Sequence, residues 1–320
     1  MKERILVTLP VQEQHKQLLE SIAPDSEFIY IPRGKVTEED VQAADIIIGN
    51  CPPAMIKGSP RLKWLQLNSA GANGYTDPGV LPEGAYLTNG TGAYGLALSE
   101  HLLGMLLVLM KKLNAYQEDQ KAHIWGDHGT VTSIWGSKTL VVGLGDIGGE
   151  FAKRMHALGS SVIGIKRTPG EKPDYLEALY QMDALADCLK EADIVCLSLP
   201  GTGATRHTIN KEMLSLMKPT AILLNIGRGT AIDTDALIEA LQNGTIAGAA
   251  MDVTDPEPLP ADHPLWDASN VLITPHISGQ YHLPETFEHI VRIAADNLRR
   301  YKAGEPLANQ VDFATGYRRS

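Results

Sequence analysis

The sequence is poor in cysteine and aromatics and has no apolar run of membrane-spanning length. Its three cysteines, Cys51, Cys188 and Cys196, are odd in number and scattered. With no CxxC spacing and no histidine-rich neighbourhood, they exclude a disulfide framework and a zinc site, and no metal is expected. The opening Met1-Lys2-Glu3-Arg4 followed by the short apolar run 5–9 is too brief for a signal peptide, and no stretch reaches membrane-spanning length. The expected location is the cytoplasm, with no membrane partner. Positive charge is scarce too: 28 Lys and Arg against 38 Asp and Glu leave a formal net charge of -10. There is no chain-wide basic field for nucleic acid, so any bound anion must be held by a local cluster of donors.

At 320 residues the chain is long for one domain and suits two. From Lys138 onward, short apolar runs at 140–142, 162–165, 194–199, 221–225, 247–251 and 271–273 alternate with helical patterns at 147–158, 211–217 and 234–243. Pro219 and Gly244 stand as stops beyond the second and third helices. This alternation predicts a doubly wound, mostly parallel sheet. The first half repeats the pattern more weakly, with strands at 5–9 and 45–48, a helix between them, and a further strand at 64–67. A long apolar helix from Leu96 to about Lys112 separates the halves, and an amphipathic helix at 285–301 closes the chain. That last helix is expected to pack back on the first half. The fold class is therefore α/β, with two Rossmann-like or flavodoxin-like parallel-sheet domains and a cleft between them. One domain is discontinuous (1–98 and 286–320) and the other is dinucleotide-binding (99–285).

The strand 140–142 runs into Gly143-Leu144-Gly145-Asp146-Ile147-Gly148, which opens a helix. In that context the first glycine permits a tight turn, the second lets backbone approach a pyrophosphate, and the third lets helix and strand pack closely. The helix N-terminus adds unpaired N–H groups and positive dipole. A carboxylate about twenty residues further on would select NAD, but the strand 162–165 ends in Lys166-Arg167-Thr168. Two cations and a hydroxyl suit a ribose 2′-phosphate, so NADP(H) is the expected cofactor, with NAD(H) still possible.

Ligands of open α/β sheets lie beyond the carboxyl ends of the strands. There, strand 221–225 is followed by Ile226-Gly227-Arg228-Gly229, strand 247–251 by Asp252 and then Glu257, and strand 271–273 by Thr274-Pro275-His276. Addition of a hydride to a 2-keto acid needs a cation for the carboxylate and polarised carbonyl, and an acid for the developing alkoxide. Arg228 suits the first role and His276 the second. Glu257, on the far ring nitrogen of His276, would orient the imidazole and favour its protonated form.

These segments, together with Asp252-Val253-Thr254-Asp255-Pro256-Glu257-Pro258, resemble the D-isomer-specific 2-hydroxyacid dehydrogenase family over nearly the whole chain. The resemblance implies Arg228 as substrate-binding and polarising residue, His276 as general acid/base and substrate contact, and Glu257 as its partner. It implies that Asp252 contacts the nicotinamide carboxamide, and that Pro200, Thr205, Ile226, Gly227 and Gly279 line the cofactor with Gly143, Gly145, Asp146, Ile147 and Gly148. The loop Ser69-Ala70-Gly71-Ala72-Asn73 resembles the family's substrate loop, so the amides of Ala70, Gly71 and Ala72 are expected on the carboxylate. A homodimer built around the helix near Ser99-Glu100-His101 is also implied. The run at 166–168 resembles the NADPH-using glyoxylate and hydroxypyruvate reductases, and the early end of the chain argues against the regulatory domains of phosphoglycerate dehydrogenases. Two other readings remain open: a reductase of a bulkier branched or aromatic 2-keto acid, lined by Asn50-Cys51-Pro52, Tyr94 and Tyr281-His282, and a cofactor-sensing dimeric binding protein.

Overall fold

The structure, a computed structural model, describes residues 2–268 and 270–316. The chain divides into two compact units, Met1–Tyr94 with Leu283–Ser320, and Gly95–His282. Residue 1 and residues 317–320 of the domain expected from sequence lie outside the described residues.

The first unit is a parallel sheet of β1 (Arg4–Val7), β2 (Glu27–Tyr30), β3 (Ile46–Ile48), β4 (Trp64–Gln66) and β5 (Tyr86–Thr88), in the order β2-β1-β3-β4-β5. This is the flavodoxin-like order. Its central strands read as unbroken apolar runs, Ile46-Ile47-Ile48 being the clearest, because a covered parallel sheet buries both faces of a strand. Helices α1 (Glu13–Ile22), α2 (Glu38–Gln42) and α3 (Pro53–Ile56) connect the strands. The last helix of the chain, Pro284–Ala303, belongs to this unit and begins with Pro284 in its first turn, where the missing N–H costs nothing. It ends at Gly304 in the left-handed conformation, φ 69°. Its apolar stripe (Ile290, Val291, Ala294, Leu298) is buried, its Glu288 bonds His15 of α1 at 2.8 Å, and its Tyr301 stacks on Trp64 of β4.

The second unit opens with α4 (Gly95–Met110) and α5 (Leu113–Ala122). Its sheet comprises β6 (Lys138–Val142), β7 (Ser161–Ile165), β8 (Ala178–Tyr180), β9 (Ile194–Leu197), β10 (Ile222–Asn225), β11 (Gly248–Met251) and β12 (Val271–Ile273). The order is β12-β11-β10-β9-β6-β7-β8, all parallel. It is doubly wound: successive strands step one way from β6 to β8 and the other way from β9 to β12, so the switch point lies between β6 and β9. Between the strands run α6 (Asp146–Ala157), α7 (Leu185–Glu191), α8 (Lys211–Leu216) and α9 (Thr234–Gln242), which makes the C-terminal helix α10. Two starts carry side-chain caps, Asn210 accepting from Met213 N–H at 3.0 Å and Asp233 from Ala236 N–H at 3.1 Å. The expected strand runs reappear with ends moved by one or two residues. No helix among the described residues is long and apolar enough to cross a membrane.

One polar side chain fastens α10. Asn297, buried, donates to Gln66 Oε1 at 2.8 Å and to Ala308 O at 3.0 Å, and accepts from Ala308 N–H at 2.7 Å. Removing it leaves a buried donor and acceptors without partners. Asn297→Ala is expected to cost about 1–3 kcal/mol, read as a lower denaturation midpoint of the first unit; an unchanged midpoint would rule out this role.

Candidate active site

At the switch point, the turn from β6 into α6 is shaped by its glycines. Gly143 sits at φ 99°, and a Cβ there would strike the Ser198 carbonyl; a Cβ on Gly148 would strike the Gly143 carbonyl. Between them Gly145, the N-cap of α6, has open space where a Cβ would be, and no side chain caps the helix. The two outer glycines are thus required by packing, while the middle one keeps the approach to the amides of Asp146, Ile147 and Gly148 clear. An open, uncapped helix N-terminus fits a pyrophosphate. The Asp146 carboxylate is turned aside: it accepts from Gly95 N–H at 3.0 Å and caps α4.

Beyond β7, Lys166 is half-buried with its ammonium against Gly170, while Arg167 and Thr168 are exposed. No carboxylate pairs with Lys166 among the described residues. Beyond β9, the Thr205 hydroxyl donates to Pro200 O at 2.6 Å and accepts from Thr202 N–H at 3.0 Å, so it closes this loop on itself. Beyond β10, Ile226 is buried and Gly227 N–H donates to Asn225 Oδ1 at 3.1 Å.

The three expected ionisable residues fall in one unit and two of them touch. His276 Nδ1 lies 2.5 Å from Glu257 Oε1, with both side chains partly exposed. Arg228 donates to its neighbour's carbonyl, Gly227 O, at 2.7 Å and lies within electrostatic range of Glu257. Burial lowers the Arg228 pKa from its ordinary value and the Glu257 charge pushes it back up, so the guanidinium stays charged throughout the working pH range. His276 itself adopts φ 50°, a left-handed conformation that costs a side-chain-bearing residue about 1–2 kcal/mol. Its N–H donates to Asp252 O at 2.8 Å and to Thr274 O at 3.0 Å, which holds the backbone there. Gly279 follows in the turn beyond it, half-buried.

Asp252 follows β11 and lies against the loop that carries His276. It is 1% exposed, and its carboxylate accepts from Thr274 Oγ1 at 2.6 Å, Ile277 N–H at 3.1 Å, Ser278 N–H at 3.3 Å and the Ser278 hydroxyl. These four donors tie the carboxylate to the loop that carries His276, so the group anchors that loop.

In the first unit, the loop Ser69-Ala70-Gly71-Ala72-Asn73 follows β4. Its carbonyls are tied inward: Ala70 O accepts from Asn89 Nδ2 at 2.7 Å, Gly71 O from Ser69 Oγ at 2.7 Å, and Ala72 O from Tyr75 N–H at 3.1 Å. Among the described residues no acceptor pairs with the N–H groups of Ala70, Gly71 and Ala72, which leaves these three donors available to an anion. The frame was not anticipated from sequence. Asn50 and Asn68 exchange side chain-to-backbone bonds at 2.8 and 3.0 Å, and the Tyr94 hydroxyl donates to Asn68 O at 2.5 Å. Its signal was an asparagine just past three strands, Asn50, Asn68 and Asn89.

A seven-stranded sheet of this order with the glycine turn at its switch point defines a dinucleotide-binding unit. Residues 103–278 match the family described as D-isomer specific 2-hydroxyacid dehydrogenase, NAD binding domain. Glyoxylate/hydroxypyruvate reductase B of Pectobacterium carotovorum is 34% identical over 273 residues, 82% of this chain and 83% of that protein. Among solved structures, a D-isomer specific 2-hydroxyacid dehydrogenase family protein from Aeromonas salmonicida superposes with TM-score 0.86 at 32% identity, covering 98% of this chain and 100% of that one. A D-isomer specific 2-hydroxyacid dehydrogenase from Xanthobacter autotrophicus, in complex with NADPH and MES, gives TM-score 0.82 at 28% identity, covering 99% and 100%. The chain belongs to the D-isomer specific 2-hydroxyacid dehydrogenase family of NAD(P)-dependent oxidoreductases.

The glycine geometry predicts a separation of effects. Gly145→Ala, whose methyl meets nothing in the free protein, should keep the melting temperature and weaken NADPH binding about tenfold or more in a fluorescence titration, because the methyl occupies the phosphate approach. Gly148→Ala should lower the melting temperature. Equal NADPH affinity for Gly145→Ala and wild type would refute the cradle.

Proposed function

We propose that the chain reduces a small 2-keto acid, such as glyoxylate or hydroxypyruvate, to the 2-hydroxy acid, with NADPH preferred over NADH. The observation that carries this is the His276–Glu257 contact at 2.5 Å with the half-buried Arg228 charge in range of Glu257. In this reading the first unit, expected over 1–98 and 286–320, binds substrate and the second, expected over 99–285, binds the dinucleotide. The nicotinamide supplies the hydride when bound.

Arg228 holds the substrate carboxylate and polarises the C2 carbonyl as negative charge grows on its oxygen. Ala70, Gly71 and Ala72 are carried in the proposal as further carboxylate-binding amides. Glu257 engages Nδ1 of His276, which leaves Nε2 to deliver a proton to the developing alkoxide, or to remove it in the oxidative direction. Gly143, Gly145, Asp146, Ile147 and Gly148 hold the pyrophosphate through backbone, and Pro200, Thr205, Ile226, Gly227 and Gly279 shape the cofactor's bed. Lys166, Arg167 and Thr168 are proposed for the 2′-phosphate, supported by the absence of a carboxylate at the end of β7. The reductase named in Pectobacterium carotovorum and the NADPH complex from Xanthobacter autotrophicus agree with this reading.

Absorbance at the reduced-nicotinamide band, with glyoxylate, hydroxypyruvate, pyruvate and a branched keto acid and with each cofactor, is the test. Glyoxylate or hydroxypyruvate with NADPH should give the highest kcat/KM, and NADH ahead of NADPH would overturn the cofactor assignment. His276→Gln should lower kcat by about 10²-fold or more. Arg228→Ala should worsen both kcat and KM, since it serves ground and transition states; near-wild-type kinetics in either variant would remove that residue from the mechanism.

The proposal includes a cytoplasmic homodimer. Its support is the segment after α5, where Ile124, Trp125, Val131 and Trp135 are exposed. The segment is nonetheless fixed, by His128–Asp119 at 2.8 Å and by Lys111 Nζ to Thr132 O at 2.6 Å. A pinned, uncovered set of large apolar side chains fits self-association better than solvent. Sedimentation should give twice the chain mass for wild type and a shift toward monomer for Trp125→Glu; a monomeric wild type would sink the dimer.

A further inference from the structure

We propose that His101 of α4 is a positioning residue for the loop that carries His276, acting through Thr274 and the buried Asp252 carboxylate. The inference rests on the reading of His276 as the general acid and names what holds that acid in place.

The Asp252 carboxylate is a template for the catalytic loop. Every donor on its oxygens comes from residues 274–278, and its own carbonyl takes the His276 N–H. Within the described residues no Lys or Arg forms an ion pair with it. The one group of potential positive charge in range is His101, whose Nε2 lies 3.7 Å from Asp252 Oδ1 with a side chain 25% exposed. His101 Nε2 also lies 3.0 Å from Thr274 Oγ1. A hydroxyl has one proton, and Thr274 gives it to Asp252 at 2.6 Å. Thr274 Oγ1 must therefore accept from His101, which fixes the proton on Nε2.

The result is a directed chain from α4 to the catalytic loop: His101 Nε2–H to Thr274 Oγ1, and Thr274 Oγ1–H to the carboxylate around which residues 276–278 are wound. Helix α4 is a good reference for it. It is long, with seven of its 16 residues buried, its first N–H is held by Asp146 at the start of α6, and Met105, one turn beyond His101, also approaches Thr274, with Sδ 3.9 Å from Oγ1. One helix thus touches both the phosphate turn and the loop of the proposed acid. Loss of the His101 bond leaves Thr274 Oγ1 without its donor and weakens the hold on a loop whose His276 already sits in an unfavourable backbone region. Because His101 is not assigned to substrate or cofactor, its loss should act on the alignment of the proton donor, where a small displacement is costly.

The test compares His101→Leu, which removes the donor, with His101→Gln, which retains one. In the full chain with NADPH and glyoxylate, His101→Leu should lower kcat about tenfold or more with NADPH affinity and melting temperature close to wild type, and His101→Gln should recover most of the loss. Independently of turnover, the NMR signals of the His276 ring should move or broaden in His101→Leu and return toward wild type in His101→Gln. Wild-type kcat with an unchanged His276 spectrum in His101→Leu would overturn the proposal. So would equal losses of kcat and melting temperature in both variants, which would mark His101 as structural only. Should the wild type itself turn over none of the keto acids, the function proposed above falls, and the His276 spectra alone decide the role of His101.

Discussion

The rim of the dinucleotide-binding unit depends on backbone lying directly against backbone. Side chains on Gly143, Gly227 and Gly229 would collide with the carbonyls of Ser198, Leu199 and Thr254 respectively. The loops leaving β6, β9, β10 and β11 therefore pack without an intervening layer of side chains. Arg228, set between two of these glycines, is carried on a segment that the packing leaves little freedom to move. The same density sets out the polar backbone groups that a flat, highly charged ligand needs, and it does so before any ligand arrives.

The buried Asp252 and the half-buried Arg228 are treated in opposite ways. Asp252 is saturated by internal donors, which makes its burial tolerable and turns it into a structural anchor. Arg228 is desolvated enough for its pKa to fall, with the Glu257 charge as the opposing influence. A partly desolvated cation attracts an incoming carboxylate more strongly than a fully solvated one would. The chain as a whole is acidic, so the attraction for an anionic substrate is local to this rim and to the helix end at Gly145.

Much of this was legible in the sequence, and the reasons are physical. The glycine turn follows a strand and opens a helix, and Arg228, Glu257 and His276 each follow a strand of one sheet, so chain order alone put them on a common rim. The central strands could be read because burial on both faces demands unbroken apolar runs. Strands β2, β5 and β8 could not: β2 and β8 are half-exposed edges, and β5 has three residues, one of them exposed. Helix α5 buries none of its residues and so carries no apolar stripe to detect. The donors around the Asp252 carboxylate were not legible, because its identity as a carboxylate says nothing of what surrounds it. His101 went unassigned for a related reason, since 173 residues separate it from Thr274 and only the fold brings them within bonding distance.

The first unit is assembled from both ends of the chain, Met1–Tyr94 and Leu283–Ser320, whereas the second is one continuous segment. A ribosome releases the N-terminal share of the first unit early, but helix α10 and Asn297, which close its core, emerge last. The dinucleotide-binding unit therefore has all its strands in hand while its neighbour is still waiting for a missing piece. During synthesis the nascent chain passes through a stage with a finished nucleotide cradle and an unfinished partner unit whose apolar sheet face is uncovered, and that interval is when chaperones have most reason to engage it.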